Sequence, residues 1–345
     1  MERKLASIQK ILDIQPIPGA DAIEVATVLG WKVVIGKKDN FKVGDLVVYC
    51  EVDSILPEKP EFEFLRKVHF RIKTIRLKGQ VSQGIVFPLS ILAGEAELPH
   101  DPHAEGDDVT ELLGITKYEV YIPAQLAGIR KGNFPDWLHK TDETRIQAVP
   151  GVLYRHQQKK FYMTEKVDGS SMTVYFRRNE TLVDGEFGVC SRNFDMKETE
   201  DNAFWKAARA ADLENKLRSL NRNIALQGEL LGPGVQGNKY KLQKLEYYVF
   251  NVFNIDTQLH TNFDEFVGIA SYLGLNTVPI YHATYQLPAT IDELVEVSKG
   301  PSLLNLDTPR EGIVLRPVIN EYDEELKGRL SFKCINPEFL LKYNE

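Results

Sequence analysis

Short runs of alternating apolar and polar residues fill positions 1–113, with Gly, Pro and Asn/Asp turns between them. From about residue 141 strands interleave with a few helices, without a regular strand–helix–strand rhythm. Together these two observations predict an α+β chain, an all-β barrel followed by a mixed domain. A length of 345 residues is ample for two cores.

The barrel rests on four quoted runs: "EVATVLGWKVVIG", "DLVVYCEV", "HFRIKTIRLKG" and "QGIVFPL". Turn signals at Pro18-Gly19, Asp39-Asn40, Gly44-Asp45 and Lys78-Gly79 separate them. About five short strands in this length suit a small closed barrel, and an OB-fold is the expected type. Residues 94–111 form an acidic excursion, and 114–140, with turn signals in "GNFPDWLHK", read as the linker to a domain at 141–345. In that domain, 201–220 predicts a helix with Asp201 as N-cap and Leu213, Leu217 and Leu220 at helical spacing. "NFDEFVGIASYLG" predicts a second helix ending at Gly274. "TIDELVEVSKG" opens with a capping box, Thr290 and Glu293, and closes at Gly300.

With 43% hydrophobic and 26% charged residues, the composition is that of an ordinary globular protein. No apolar run approaches the roughly 18 residues that span a bilayer. The start, "MERKLASIQKILDI", is charged and interrupted, unlike a secretory signal. Three distant cysteines, Cys50, Cys190 and Cys334, argue against a disulfide framework or zinc site and for a reducing compartment. An intracellular, cytoplasmic protein is expected, or a viral or phage-encoded one acting inside its host. Seven scattered histidines form no metal motif. The net charge of −7 argues against nucleic acid, but its distribution does not. Residues 64–80 hold six Lys/Arg (Arg66, Lys67, Arg71, Lys73, Arg76 and Lys78) and no acid, whereas 94–111 hold seven acids and no Lys/Arg. This basic stripe is the expected grip on a phosphate backbone.

In "FYMTEKVDGSSMTVYF" (161–176), Lys166 ends an alternating run, Asp168-Gly169 breaks it, and a second run follows, as in a hairpin. The sequence KxDG alone is weak. Four further segments also place polar groups at buried-looking strands: Ser191-Arg192-Asn193 in "VCSRN", Glu229 in "IALQGELLG", Glu311 in "REGIVLRP", and Lys333 in "RLSFKCIN". A lone glutamate or lysine in such a strand is ordinarily a solvated outer-face residue; five such segments in one chain are a pattern. "GPGVQGNK" (232–239) has its lysine one residue late for a P-loop and reads as a Gly-rich turn.

The set makes sense for an amine attacking a nucleotide α-phosphate. A free lysine has a pKa near ~10.4 and must lose its proton, which cations such as Lys333, Arg192 or a metal would favour. Charge building on the phosphoryl oxygens needs a lysine and a hard cation, the latter bound through a carboxylate such as Glu311. Glu229 could accept from ribose hydroxyls, and "EYYVFNVFN" offers Phe250 as a flat face for a base.

In order, KxDG, SRN, GELLG, YYVFN, EGIVLRP and FKCIN resemble motifs I, Ia, III, IIIa, IV and V of the covalent nucleotidyltransferases. Within that superfamily the chain resembles the ATP-dependent RNA ligases with an N-terminal OB domain, the fifth RNA ligase family. The resemblance implies an ATP-grasp-like nucleotidyltransferase domain behind the barrel. It implies ATP and Mg²⁺ (or Mn²⁺) as cofactors, and RNA or RNA-containing duplex with 3′-OH and 5′-phosphate ends as partner. Lys166 would form lysyl-AMP, Glu165 contact the adenine edge and Phe250 stack on it. Glu229 would hold the ribose, Arg192 the ribose or a phosphate, Glu311 the metal or its water, and Lys333 the α-phosphate. Arg145, in "TDETRIQ", is carried as a further nucleotide contact. Where several relatives have a second motif V lysine, this chain has Ile335. DNA ligases and capping enzymes usually place their OB domain after motif V, and here twelve residues follow Lys333, so both are the alternatives, with an inactive OB-containing binding protein as a third. Since the chemistry lies after residue 141, that part alone is expected to form lysyl-AMP.

Overall fold

A computed structural model describes residues 3–93, 104–118 and 128–344. Most of the acidic excursion (94–103) and the middle of the expected linker (119–127) lie outside the described residues.

The N-terminal sheet is antiparallel, in the order Trp31–Gly36, Ile23–Val28, Ala6–Pro16, Leu46–Cys50, Ile85–Pro88. Its inward residues, among them Ile8, Ile11, Val33, Val48 and Tyr49, are fully buried or nearly so and close one core. The longest strand, Ala6–Pro16, escapes a sequence reading because Ala6–Gln9 are all buried and the register shifts between Ile11 and Asp13, so no simple alternation runs through it. The basic run differs from the expected strand. Pro60–Val68 is a 3₁₀ helix with Pro60 in its first turn, ended by left-handed His69 and Phe70, and only Ile75–Leu77 is a strand, paired with Gln80–Ser82. The expected linker is built in at both ends. Ile115 joins the barrel core and Thr116–Lys117 pairs with Ser54–Ile55, while Arg130–Asn133 pairs with Phe194–Met196 in the second domain.

That domain consists of two sheets. One has five strands, Thr144–Arg145, Phe332–Ile335, Gly312–Pro317, Lys160–Lys166 and Ile280–Gln286. The other has seven, Arg130–Asn133, Phe194–Met196, Glu186–Cys190, Ser170–Arg177, Ile224–Leu231, Glu246–Asn254 and Leu259–His260. The expected hairpin around Asp168-Gly169 is therefore a crossover: Lys160–Lys166 pairs with Gly312–Pro317, and Ser170–Arg177 pairs with Ile224–Leu231 in the other sheet. The reason is burial on both faces. Phe161 and Met163 pack in one core with Ile313 and Phe332, whereas Tyr162 packs in another with Phe263 and Phe266. Gly169 permits the crossing, since a Cβ there would lie 2.5 Å from the Leu230 carbonyl and 2.8 Å from Glu229 Cγ.

The segment expected as one helix at 201–220 is two, Ala203–Ala210 and Leu213–Ser219, broken at left-handed Asp212; Asn202, not Asp201, caps the first through Phe204 N and Trp205 N. Phe263–Tyr272 and Ile291–Ser298 form as expected, the latter with its Thr290/Glu293 capping box complete. Among the described residues no helix is long and apolar enough to cross a membrane.

The barrel docks on the second domain. Gly30 N donates to Gln147 O at 2.8 Å, and a Cβ on Gly30 would lie 2.8 Å from Gln147 Cα. Lys73 donates to the Asn344 carbonyl at 3.0 Å and Arg76 pairs with Glu338 at 2.5 Å.

Candidate active site

The strand Lys160–Lys166 ends where the two sheets face each other across a cleft of about 1050 Å³. Of the residues singled out in the sequence, Glu165, Lys166, Arg192, Glu229, Phe250, Glu311 and Lys333 all line it. They come from six separate stretches of chain, so the fold brings together what the sequence held apart.

Lys166 Nζ donates to Glu311 Oε1 at 2.5 Å. Burial pulls the amine's pKa down, but Glu311, Glu229 and Asp168 outweigh it and hold it above the ordinary lysine value. The nucleophile expected to be activated by cations is thus an ammonium paired with a carboxylate in the free protein. Burial pushes the Glu311 carboxyl up against the pull of Lys166. Burial likewise drives Glu229 up to about 8, with Lys166 opposing and Glu311 and Asp168 adding to the rise. Lys333 moves the other way, down to about 7, through burial and then through Lys166 and Arg145. Of the two lysines, Lys166 holds its proton the more firmly.

Glu165 is buried; its Oε2 accepts from Tyr281 OH at 2.8 Å and Leu303 N at 3.0 Å, while Oε1 has no partner. An unpartnered buried acceptor at the cleft suits an amino group of a base. Phe250 lies half-buried with the Arg316 guanidinium 5.7 Å from its ring. Arg192 is exposed at the cleft edge and pairs with Asp142 at 2.5 Å.

Arg145 is placed differently from the expected nucleotide contact. It does not line the cleft; its strand runs parallel beside Phe332–Ile335, in register with Lys333, and its guanidinium pairs with Asp53 of the barrel at 3.0 Å. Burial raises the Asp53 carboxyl, but Arg145 and Arg71 outweigh it and hold it below the usual range. Ile335, at the position of the second motif V lysine in several relatives, is buried against Phe339 and Leu340 of the C-terminal helix.

The six cations of the basic stripe do not share one free face. Arg71 pairs with Asp53 at 2.9 Å and stacks on Tyr118 at 3.6 Å, and Arg66 pairs with Glu63 and Glu58. Lys73 and Arg76 are engaged at the domain contact, which leaves Lys67 and Lys78 exposed without a described carboxylate.

Sequence reasoning missed three contributors. Lys239, in the Gly-rich "GPGVQGNK" turn, pairs with Asp168 and lies over the rings of Phe339 and Tyr343. Tyr240 OH accepts from Asp168 N at 2.7 Å. Arg316 is buried, donates to Glu143 at 2.9 Å and keeps Nε and Nη1 unpartnered in the cleft wall. The arginine in "EGIVLRP" was a visible signal; the other two needed the fold.

Residues 159–335 match the RNA ligase family, and residues 5–89 match an OB-fold domain family. The chain belongs to the RNA ligase family. The ligase is similar to solved structures of Naegleria gruberi RNA ligase. A lysine-to-alanine variant of that protein with ATP and Mn is 37% identical, covers 99% of each chain and gives a TM-score of 0.86. A glutamate-to-alanine variant with AMP and Mn gives the same identity, coverage and score. The complex with PPi is 38% identical over 99% of each chain, with a TM-score of 0.85. No curated protein matches the ligase. The matches run through both domains in the predicted order, barrel first, and do not favour the DNA-ligase, capping or inactive-protein alternatives.

Proposed function

We propose that the ligase joins RNA 3′-OH and 5′-phosphate ends using ATP, with Lys166 as nucleophile. The observation that carries this reading is Lys166 Nζ held at 2.5 Å from Glu311, in a cleft that Glu229, Lys333 and Phe250 also line. Phe250 offers a flat ring to a base, and Lys166 and Lys333 offer charge to phosphates.

Three steps follow. Lys166 Nζ attacks the α-phosphorus of ATP, the bond to the β-phosphate oxygen breaks, and pyrophosphate leaves with the electron pair. The amine proton passes to Glu311 along their hydrogen bond; a carboxylate raised by burial is a competent acceptor. A 5′-phosphate oxygen of the RNA then takes the AMP as the N–P bond breaks, and the 3′-OH displaces AMP from that end. Lys333 is suited to meet the α-phosphate, because a phosphoryl anion would charge an amine whose pKa is near 7.

Glu311 Oε2 is buried without a partner, and among the described residues no three His, Cys, Asp or Glu side chains converge as a cage. That donor set fits a hard cation such as Mg²⁺ or Mn²⁺ held by one carboxylate, water and substrate phosphate. Such an ion would neutralise charge on the phosphoryl oxygens. Glu165 and Phe250 would read and stack the base, Glu229 hold the ribose and Arg192 a phosphate; Arg145 would act from behind Lys333. Three free buried cysteines support an intracellular, reducing setting.

The test is incubation with α-labelled ATP or GTP. Covalent label from ATP and not GTP is the expected result; no label from either, or equal label from both, would overturn the reading.

A further inference from the structure

The cleft is larger than an adenylate needs. Small-ligand pockets span about 300–1,000 Å³, and this one, at about 1050 Å³, stands at the top of that range. In the seven-stranded sheet the strand of Phe250 and the strand of Phe194 are four places apart, which at ~4.8 Å per step is about 19 Å. Both strands line the cleft, so it extends well past the carboxylates toward the sheet edge at Arg130–Asn133.

The chemistry of that outer part differs from the rest. Lys117, Arg130, Lys140 and Arg192 line it together with Phe194 and Phe204. The Arg130 guanidinium lies over the Phe194 ring at 4.4 Å. Arg130 and Lys140 donate to the neutral amides of Asn133 and Asn193, so their charge is not cancelled by those contacts. The nearby acids are engaged, Asp142 with Arg192 and Glu143 with Arg316. Cations with interleaved aromatic faces are what a single nucleic-acid strand is held by: phosphates meet the charges and bases stack on the rings.

We infer that this outer half of the cleft, centred on the Arg130–Phe194 stack, receives the RNA strand that carries the 5′-phosphate. The inference rests on the ligase reading, because the 5′-phosphate must reach the adenylate on Lys166. The nucleotides attached to that phosphate must then lie along the cleft away from the base-binding end. The basic stripe of the barrel is the rival grip; three of its six cations are paired with Glu58, Glu63, Asp53 and Glu338, and a fourth, Lys73, is held at the domain contact by the Asn344 carbonyl.

The test uses the full chain, charged with AMP, and a 5′-phosphorylated RNA oligonucleotide. Arg130→Ala and Phe194→Leu should each weaken the oligonucleotide's binding about fivefold or more and slow AMP transfer to it at subsaturating RNA. Arg130→Ala should also flatten the salt dependence by about one unit in log–log slope, and Arg130→Lys should keep that slope while losing part of the affinity. Self-adenylylation should stay within twofold in all three, which also reports that they fold. A Lys67→Ala/Lys78→Ala double variant should bind as the parent does. Normal binding by Arg130→Ala and Phe194→Leu would overturn the inference, as would the same loss with a 3′-OH strand lacking the 5′-phosphate. Absence of label in the parent protein would instead overturn the ligase reading.

Discussion

Replacing Asp53 by asparagine removes the charge on which two buried arginines of different domains converge. Arg71 and Arg145 lie 2.9 and 3.0 Å from its oxygens, with side chains 13% exposed and Asp53 itself 24% exposed. Removing one partner of a buried pair costs about 3–5 kcal/mol because the remaining charge stays desolvated. Partial exposure of Asp53, and the Arg71 stack on Tyr118, argue for the low end, so Asp53→Asn should cost about 3 kcal/mol. Arg145 has a further unpartnered nitrogen and neighbours Lys333 in register, so losing its anchor should also disturb Lys333 and the proposed chemistry there. The measurements are urea unfolding followed by fluorescence, and the rate of self-adenylylation. Arg145→Met alone, and combined with Asp53→Asn, completes a cycle in which the pair should couple by more than 1 kcal/mol. A stability within about 0.5 kcal/mol of the parent, with unchanged labelling, would refute the argument. The same contacts alter the expectation for the isolated second domain: deleting residues 1–113 strips Arg145 of Asp53, Gln147 of Gly30 and Glu338 of Arg76, so the fragment should label poorly with ATP.

Lys166→Ala should abolish protein labelling while retaining some sealing of pre-adenylylated ends; normal labelling would exclude Lys166 as nucleophile. Lys333→Met should slow self-adenylylation by about 10²–10³-fold, the usual loss when one donor to a developing oxyanion is removed, measured in single-turnover labelling. Asp323, held by His156, Leu326 N and Arg155 against its burial, has its pKa depressed from 3.8 to about 2. A depressed carboxylate contributes stability above its unfolded value that is lost as pH falls through its folded one, so Asp323→Asn should cost about 2 kcal/mol at pH 7, a cost that shrinks below about pH 4 and is nearly gone by about pH 2, read from urea midpoints across pH.

The site was legible in its residues and illegible in its connections. Glu229, Glu311 and Lys333 show in the sequence because each is a polar residue set in a run that is otherwise apolar, and burial of such runs is a local property. The crossover at Asp168-Gly169 was not legible, because a break between two alternating runs looks the same whether the second strand pairs with the first or enters another sheet. Only the packing of Phe161 and Tyr162 into separate cores decides it. The pairing within the basic stripe was hidden for a related reason. Residues 64–80 contain no acid, yet Glu63 and Glu58 lie just before them, and Asp53 and Glu338 come from elsewhere in the chain. A run of one charge in sequence becomes a surface of that charge only if the fold brings no opposite charge to it.

The charge state of the two lysines completes the physical picture. Glu311 and Asp168, with Glu229 when it is ionised, favour the ammonium form of Lys166 in the free protein, where it is paired with Glu311. Lys333, crowded by Lys166 and Arg145, carries its proton weakly. A triphosphate in the cleft would change the balance at Lys333 and, through its cation, at Glu311. Its negative charge favours the protonated form of Lys333, and a hard cation drawn to Glu311 would weaken that carboxylate's hold on Lys166. On the proposed mechanism Lys166 would then be less firmly held by Glu311 than it is in the free protein. Glu229, near pKa 8, stands between the two states: neutral below that pH, it leaves Glu311 as the principal anion facing Lys166.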